Sequence, residues 1–299
     1  MPASITVIIP TLCSPERHQL LLRAIDSVRQ QSGVSPIILV VANGNRVETD
    51  VFDRLLPDPA VRVVQITQAN LPAAQRLGRM LVRTEAFSFL DDDDVLLPGA
   101  LRVAVDALFE GDADLVATNG FRHNSEVVCR DPGRVNRDPI GALLAQNWLA
   151  SCAGVFRSAS IGPEFFDGET AYNEWTLLAF KIANSGRKIR FVDVPTYRIS
   201  DTPFSAYKTE SVERYQMTLR TLRYLYEHCS IRHRSQVREH LICALHSFSD
   251  YQRARFRMAD AWACHLRSLL MGGWRHLPYT RHLVRQSMQT QTYRTTGVR

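Results

Sequence analysis

Four consecutive carboxylates are the residues of this sequence best suited to chemistry. Asp91–Asp94 follow the apolar run AFSFL, which begins at Ala86. Unit charges about 4 Å apart repel by about 4 kcal/mol at an effective dielectric near 20, so such a row is costly unless a cation or water offsets it. Carboxylate oxygens are the ligands that Mg²⁺ and Mn²⁺ prefer, and both ions bridge to phosphates. The row therefore predicts a divalent-cation site for a diphosphate-bearing substrate, with a solvated acidic turn before the helix near Pro98 as the alternative.

Alternating strands and helices place these aspartates at one edge of a predicted sheet. Strands are predicted at 5–11, in the run PIILVVAN, at 61–66, in AFSFL and at 113–120, and helices at 17–31, at 71–83 and from Pro98 onward. This order predicts an α/β fold with a mostly parallel sheet and helices on both faces. Ligands bind beyond the carboxyl ends of such strands, where Thr11, Asn43 and the aspartates all fall.

The alternation of predicted strands and helices is less regular after residue 120. A loop-rich stretch, CRDPGRVNRDP, precedes a predicted helix at 139–147 and a short strand, SCAGVFR. An amphipathic helix at 172–186 and a strand at 188–200 follow, and from about residue 205 the pattern is helical throughout. We therefore expect an α/β domain at residues 1–204 and a helical C-terminal extension at residues 205–299.

The predicted extension carries the positive charge of the chain. The whole sequence has a formal net charge of +6, whereas residues 205–299 contain 16 Lys or Arg against 6 Asp or Glu. Within 253–286, Trp262, Leu266 and Trp274 are interspersed with Arg and His, a pattern typical of helices that lie on an anionic membrane surface. A helical annex packed on the α/β body is the alternative. No recognised nucleic-acid module is present, so nucleic acid is not expected as a partner.

The sequence also bears on the compartment. It has no run of 18 apolar residues, and its first apolar segment stops at Pro10, so we expect neither a transmembrane helix nor a standard export signal. The six cysteines are scattered without metal-ligand spacing, as is typical of reduced thiols. We expect a cytoplasmic protein, peripheral on the inner face of the cell membrane if the basic extension lies on lipid.

An ordered set of motifs resembles one enzyme family. The series ITVIIPT, LRAIDSVRQQ, ILVVANGN, NLPAAQRLG, FLDDDDVLLPGAL, CAGVFR and YNEWTLLAFKIANSGRKIRFVDVPTYR is similar, in that order, to family 2 glycosyltransferases of the GT-A fold. The resemblance spans roughly residues 4–202. It implies a GT-A-like, Rossmann-type sheet. It also implies inverting transfer of a sugar from a UDP- or dTDP-linked donor to a hydroxyl of a glycan or lipid-linked acceptor in bacterial surface polysaccharide assembly.

The resemblance implies a donor site at the strand ends. Mn²⁺ or Mg²⁺ is expected on Asp91 and Asp93, which match the family's D-x-D pair, with Asp94 following them. The family often reads VDDGS or VDNGS after its second strand, and Ala42 departs from that pattern. Arg76 stands where the family often has Asn, and a solvated helix face is the alternative to a phosphate contact. The residues expected at the donor nucleotide are Pro10, Thr11, Asn43, Arg76, Asp91 and Asp92.

The resemblance places the acceptor near the start of the helix at 172–186. The family commonly reads EDWDL there, whereas this chain reads NEWTL, so Asn173 and Glu174 replace the Glu and the Asp. Glu174 is then the general base, and a charge that complements the helix dipole is the alternative. Trp175 is expected in the acceptor pocket, with a place in the core as the alternative.

The family frequently has a His shortly after its YR strand, and this chain reads YRISDTPFS instead. Arg198 could neutralise the diphosphate and Asp201 could assist the metal. Two other classes stay open. A degenerate homologue that binds nucleotide without turnover is suggested by Ala42, Asn173 and the missing His. A phosphohydrolase of the haloacid-dehalogenase kind also uses D-x-D, but that class has the motif after its first strand, whereas in this chain it follows the fourth predicted strand.

Overall fold

The computed structural model describes residues 3–44, 55, 57–168, 172–202 and 210–296, and only the backbone of residues 289–296. The chain divides into two compact units, Met1–Lys208 and Thr209–Arg299. The boundary predicted at residue 205 lies outside the described residues.

The first unit is built on one eight-stranded sheet in the order β3-β2-β1-β4-β7-β6-β8-β5. The strands are β1 (Ala3–Thr11), β2 (Val34–Asn43), β3 (Val61–Ile66), β4 (Ala86–Phe89), β5 (Val95–Leu96), β6 (Leu115–Phe121), β7 (Gly154–Arg157) and β8 (Ile189–Arg198). The helices are α1 (His18–Arg29), α2 (Leu71–Leu81), α3 (Ala100–Glu110), α4 (Pro132–Arg137), α5 (Pro139–Ala145) and α6 (Glu174–Asn184).

Strand direction changes halfway across the sheet. Strands β3, β2, β1 and β4 run parallel to one another, and β6 runs parallel to β8. Strand β7 runs antiparallel to both β4 and β6, and β5 runs antiparallel to β8. The predicted α/β class is confirmed, but the sheet is more mixed than predicted because β7 is inserted between two strands that precede it in sequence.

Continuous burial explains why β1 has no polar alternation. Ile5, Val7, Ile8 and Ile9 are fully buried, as expected for a strand covered on both faces. Helix α2 lies close against this strand at Gly78, where an added Cβ would come within 2.5 Å of the side chain of Ile8. A larger residue at this position would push α2 away from the sheet.

Side-chain caps define the starts of two helices in this unit. The side chain of Asn70 accepts a hydrogen bond from the Ala73 amide at 3.0 Å, and Pro72 lies in the first turn, so α2 is capped and begins there. Asp131 caps α4 in the same way, inside the stretch expected to be loop.

The second unit is helical, which confirms the predicted C-terminal helical extension. Its core is formed by Leu219, Leu241, Leu245, Phe248, Tyr251 and Cys264. The helices are α7 (Val212–His228), α8 (Ile231–Ala254), α9 (Met258–Leu270) and α10 (Thr280–Thr296). In the described part of the chain, no helix combines the length and the apolar character needed to cross a membrane.

Candidate functional site

The acidic row lies where three neighbouring parallel strands end. Strands β2, β1 and β4 are adjacent in the sheet and finish at Asn43, Thr11 and Phe89. Beyond β4 the chain makes a turn, closed by a hydrogen bond from the Asp94 amide to the Asp91 carbonyl at 3.1 Å. The turn presents the aspartates at the carboxyl edge of the sheet, where ligands bind in folds of this kind.

Three of the four aspartates form a cluster that could hold a cation. Oxygen atoms of Asp91, Asp93 and Asp94 all lie within 4.8 Å of one another. Such a group of carboxylate oxygens fits the hard ligand set of Mg²⁺ or Mn²⁺. The cluster contains both predicted metal ligands, Asp91 and Asp93, together with Asp94.

Side chains and one amide orient this cluster. Thr202 donates its hydroxyl hydrogen to Oδ2 of Asp93 at 2.9 Å, and the Ser200 amide donates to Oδ1 of Asp94 at 2.9 Å. The Cys152 thiol lies 3.5 Å from Oδ2 of Asp94. Groups that hydrogen-bond to a metal's ligands without binding the metal themselves fix the position and the basicity of those ligands.

Burial and neighbouring negative charge raise the pKa of two carboxyls in the cluster, those of Asp91 and Asp94. Burial raises the pKa of Asp94 to about 7, the charge of Asp93 adds to the rise, and the hydrogen bond from Ser200 opposes it. Burial and the charge of Asp94 likewise raise the pKa of Asp91 well above its usual range. A bound cation would favour the ionised form of each carboxyl, so the electrostatics fit a metal site.

Asp92 is not part of this cluster, and its carboxylate contacts Thr11 and Arg17 instead. Its carboxylate accepts a hydrogen bond from the Thr11 hydroxyl at 2.6 Å and forms an ion pair with Arg17. Burial raises the pKa of Asp92, whereas the charge of Arg17 lowers it. Arg17 also lies 3.7 Å from Asp93, so it links the end of β1 to the acidic turn.

The residues assigned to the donor nucleotide lie along the same edge. Pro10 and Thr11 are buried at the end of β1, and the side-chain oxygen of Asn43 accepts from the Asn70 amide at 2.6 Å. Asn43 thereby connects the end of β2 to the start of α2. Arg76, one turn into α2, is exposed and paired with Asp167.

Glu174 and Trp175 lie at the start of α6 and line a small cleft. Pro72 and Gln75 from α2 form its opposite wall. Oε2 of Glu174 and Nε2 of Gln75 are both buried and have no hydrogen-bond partner among the described residues. Burial raises the pKa of Glu174, although the backbone amides of Glu174 and Tyr172 bond to its carboxylate and lower it. The cleft thus holds one unsatisfied acceptor and one unsatisfied donor.

Trp175 connects this cleft to the acidic turn. Its ring meets that of Phe89 edge to face, with 5.3 Å between centroids. Phe89 ends β4 and lies just before the acidic turn, so the contact joins the helix start that carries Glu174 to the strand that carries the cluster.

Arg198 and Asp201 lie near the end of β8. The guanidinium of Arg198 stacks over the ring of Phe121 at 5.3 Å and lies 3.5 Å from the hydroxyl of Ser125. Asp201 has its carboxylate 3.9 Å from the His123 ring. These partners are on β6 and the turn after it.

Sequence reasoning missed several residues around the cluster. Arg17, Ser200 and Thr202 contact the aspartates but are far from them in the chain. Their positions after β1 and β8 were the available signal, because loops after strand ends collect at the edge where ligands bind. Gln75 had no comparable signal, since a polar residue in an amphipathic helix normally faces water.

The mixed sheet with its acidic turn after β4 defines a GT-A-like α/β protein. The model of glycosyl transferase family 2 matches residues 6–159, which is more than half of the chain. The chain therefore belongs to glycosyl transferase family 2, and the resemblance noted in its motifs is confirmed. It is a glycosyltransferase by family, and a search of curated proteins gave no significant match.

Solved structures support the same fold. S. aureus TarS 1–349 in complex with UDP-GlcNAc is 14% identical, with a TM-score of 0.64 over 89% of this chain and 79% of that chain. The complex of TarS 1–349 with UDP is 14% identical, with a TM-score of 0.61 over 98% of this chain and 92% of that chain. At this identity the likeness shows the fold.

Proposed function

We propose that this protein transfers a sugar, with inversion, from a UDP- or dTDP-linked donor to a hydroxyl of a glycan or lipid-linked acceptor in bacterial surface polysaccharide assembly. The observation that carries the proposal is the cluster of Asp91, Asp93 and Asp94 at the carboxyl edge of the sheet. The similar TarS structures contain UDP and UDP-GlcNAc, which supports a nucleotide-sugar donor.

The cluster would hold Mn²⁺ or Mg²⁺ against the donor diphosphate. The bound ion would act as a Lewis acid that stabilises charge on the departing nucleoside diphosphate. Asp91 and Asp93 are its proposed ligands, and Asp94 completes the set. Thr202 and the Ser200 amide would hold Asp93 and Asp94 in the binding geometry, and Asp201 would assist from the same loop.

The nucleotide would lie along the ends of β1 and β2. Asn43 accepts a hydrogen bond from the start of α2, Thr11 donates to Asp92, and Pro10, Thr11 and Asp92 would form the wall beside the nucleotide. Arg76 would exchange its exposed partner Asp167 for a phosphate, because an exposed ion pair is worth only about 0–1 kcal/mol. Arg198 is the other arginine proposed to offset diphosphate charge.

Glu174 would take the proton from the attacking acceptor hydroxyl. Its buried Oε2 lacks a partner in the described part of the chain, and a raised pKa makes the carboxylate a stronger base than an exposed one. The neighbouring Gln75 could donate to the same hydroxyl oxygen and hold it in line. Trp175 would keep Glu174 in place through its contact with Phe89 and line the acceptor side.

The second unit would bring the enzyme to an anionic membrane surface, on the cytoplasmic side. Leu266, Leu270, Trp274 and Leu277 are each at least 50% exposed. Arg267 and Arg275 lie among them, and Arg281 follows. Exposed apolar side chains flanked by arginine favour the interface of a charged bilayer. Attachment there would place the enzyme beside a lipid-linked acceptor.

Hydrolysis of the donor tests the proposal, because a transferase without an acceptor slowly passes its sugar to water. We expect purified protein to release UDP from UDP-sugars with Mn²⁺ and to stop when EDTA is added. Asp106→Asn, which removes a surface partner of Arg102 on α3, should behave as wild type. If UDP binds in a metal-dependent way but no UDP-sugar is cleaved, with or without an acceptor extract, the protein is instead a binding homologue without turnover. Release of phosphate from simple phosphomonoesters would indicate a phosphohydrolase.

A further inference from the structure

The second unit contains an apolar groove that its own core leaves open. Helices α7, α8 and the end of α9 form its walls, and it encloses about 280 Å³, close to the lower end of small-molecule sites. Its apolar lining is formed by Leu219, Tyr226, Leu241, Leu245, Leu270 and Met271. Leu270 is 85% exposed at the mouth, so this apolar surface faces solvent.

A basic cleft adjoins the groove along α7. The two share Leu219, Arg223 and Arg267, and the cleft extends past Arg220. Among the described residues, Glu227 is the one acidic side chain that lines this cleft, against three arginines. Neither Arg223 nor Arg267 forms an ion pair with an acidic residue in the described part of the chain. Positive charge therefore lies at the junction of a polar and an apolar cavity.

We propose that this composite cavity binds a single amphiphile that has an apolar chain and a phosphate head group. The chain would occupy the leucine-lined groove, where it removes apolar surface from water. The phosphate would lie between Arg223 and Arg267, because the guanidinium fork matches phosphate oxygens in geometry and charge. The charge complementarity decides the occupant: a neutral chain would leave the arginines unused, and a free anion would leave the groove empty.

This site does not depend on the transferase assignment, since every residue that forms it belongs to the second unit. The cavity shares Leu270 and Arg267 with the surface proposed for bilayer attachment, and it differs from that surface in binding one molecule that is dispersed in water.

Calorimetry on the full-length protein tests the site with decyl phosphate kept below its critical micelle concentration. We expect saturable binding of one molecule, at least about tenfold tighter than for decanol or inorganic phosphate, since charged hydrogen bonds and apolar burial both contribute. Arg223→Gln and Arg267→Gln should each weaken it by roughly tenfold or more. Leu270→Ser should also weaken the binding of decyl phosphate. Because Leu270 is exposed, this substitution should leave the fold of the unit intact.

Arg257→Gln is the matched control, because Arg257 is exposed and lines neither cavity. Thermal unfolding of each variant checks that the unit is intact. Equal affinity for decanol would reject the phosphate part of the site, and equal affinity for inorganic phosphate would reject the apolar part. Binding that is absent, or that survives all three substitutions, would overturn the proposal.

Discussion

The ring of Trp175 meets the ring of Phe89 at an interplanar angle of 71°, with 5.3 Å between their centroids. One residue of this pair follows Glu174, and the other ends the strand that leads into Asp91. The contact therefore joins the helix start that carries the proposed base to the strand that leads into the proposed metal ligands.

Replacing Trp175 should affect both stability and turnover. Trp175→Ala removes a buried ring and should lower the free energy of unfolding by about 3–5 kcal/mol, as measured in urea. Trp175→Phe keeps an aromatic edge against Phe89 and should retain most of the stability. If Trp175 only fills the core, the Phe variant will also keep wild-type KM for the acceptor; an acceptor-pocket role predicts a raised KM.

The four aspartates should separate into metal ligands and a structural residue. Asp93→Asn should abolish the difference in UDP affinity between Mn²⁺ and EDTA, because it removes a charged ligand from the cluster. Asp92→Asn should keep that difference and instead cost about 1.5–3 kcal/mol of stability, since Arg17 and Thr11 lose a charged partner. Calorimetric titration and urea denaturation give the two readouts. Metal dependence that survives in Asp93→Asn would reject the cluster as the cation site.

Glu174 should be required for chemistry rather than for donor binding. Glu174→Gln keeps the size of the side chain but not its basicity, so kcat should fall by roughly 10²-fold or more while UDP and Mn²⁺ affinities stay within about threefold. Glu110→Gln, an exposed change at the end of α3, serves as the control. Normal turnover in the Glu174→Gln variant would return the residue to a helix-terminal role and move the search to Asp167, Glu169 and Asp201.

The raised pKa of Glu174 should appear in the pH dependence of stability. The ordinary pKa of a Glu carboxyl, which applies to the unfolded chain, is 4.5. Well below that pH the carboxyl is protonated in both the folded and the unfolded state, so it does not make the unfolding free energy depend on pH. Above that pH the unfolded chain ionises first, so the unfolding free energy of wild type relative to Glu174→Gln should fall with rising pH until the folded-state pKa is passed. Urea titrations of both proteins across this range of pH measure the difference, and a flat difference would show that the pKa is not raised.

Membrane attachment should depend on salt and on the exposed apolar residues of the second unit. The double change Trp274→Ser and Leu277→Ser should reduce pelleting with anionic vesicles, and high salt should reduce pelleting of wild type, because the Debye length falls from about 8 Å at physiological ionic strength. Ile231→Ser is the control, because Ile231 is an apolar residue that is 79% exposed but lies outside 253–286. Pelleting that responds to neither salt nor the double change would exclude this surface.

The parts of the fold that sequence predicted are those with strong local signals. β1 and β2 are long buried runs, and α6 has a clear apolar face, so each was placed within a few residues. Strand β7 could be predicted as a strand, but GVFR carries no sign of direction, since direction depends on its distant neighbours β4 and β6. The helix at Pro132–Arg137 was hidden by turn-forming residues, although Asp131 is the cap that starts it.

For the candidate site, the sequence indicates which residues to consider but not how their side chains are arranged. The run of aspartates marked the location, but a turn decides which carboxylate faces which way, and Asp92 turns toward Thr11 and Arg17. Contacts such as Thr202 with Asp93 join residues that are 109 positions apart in the chain. Alternating patterns report local structure, so they carry no information about such pairs.

The placement of β7 also affects how prone the incomplete chain is to aggregate during synthesis. Ser88 of β4 finds its partner Val155 only after α5 has been made, so until then AFSF is an open, apolar sheet edge. Such edges pair with other chains, and charged residues beside them act as gatekeepers against aggregation. Four aspartates follow closely after that edge. Their mutual repulsion, which in the finished protein favours a cation, would during translation keep unfinished copies apart until Gly154–Arg157 closes the sheet.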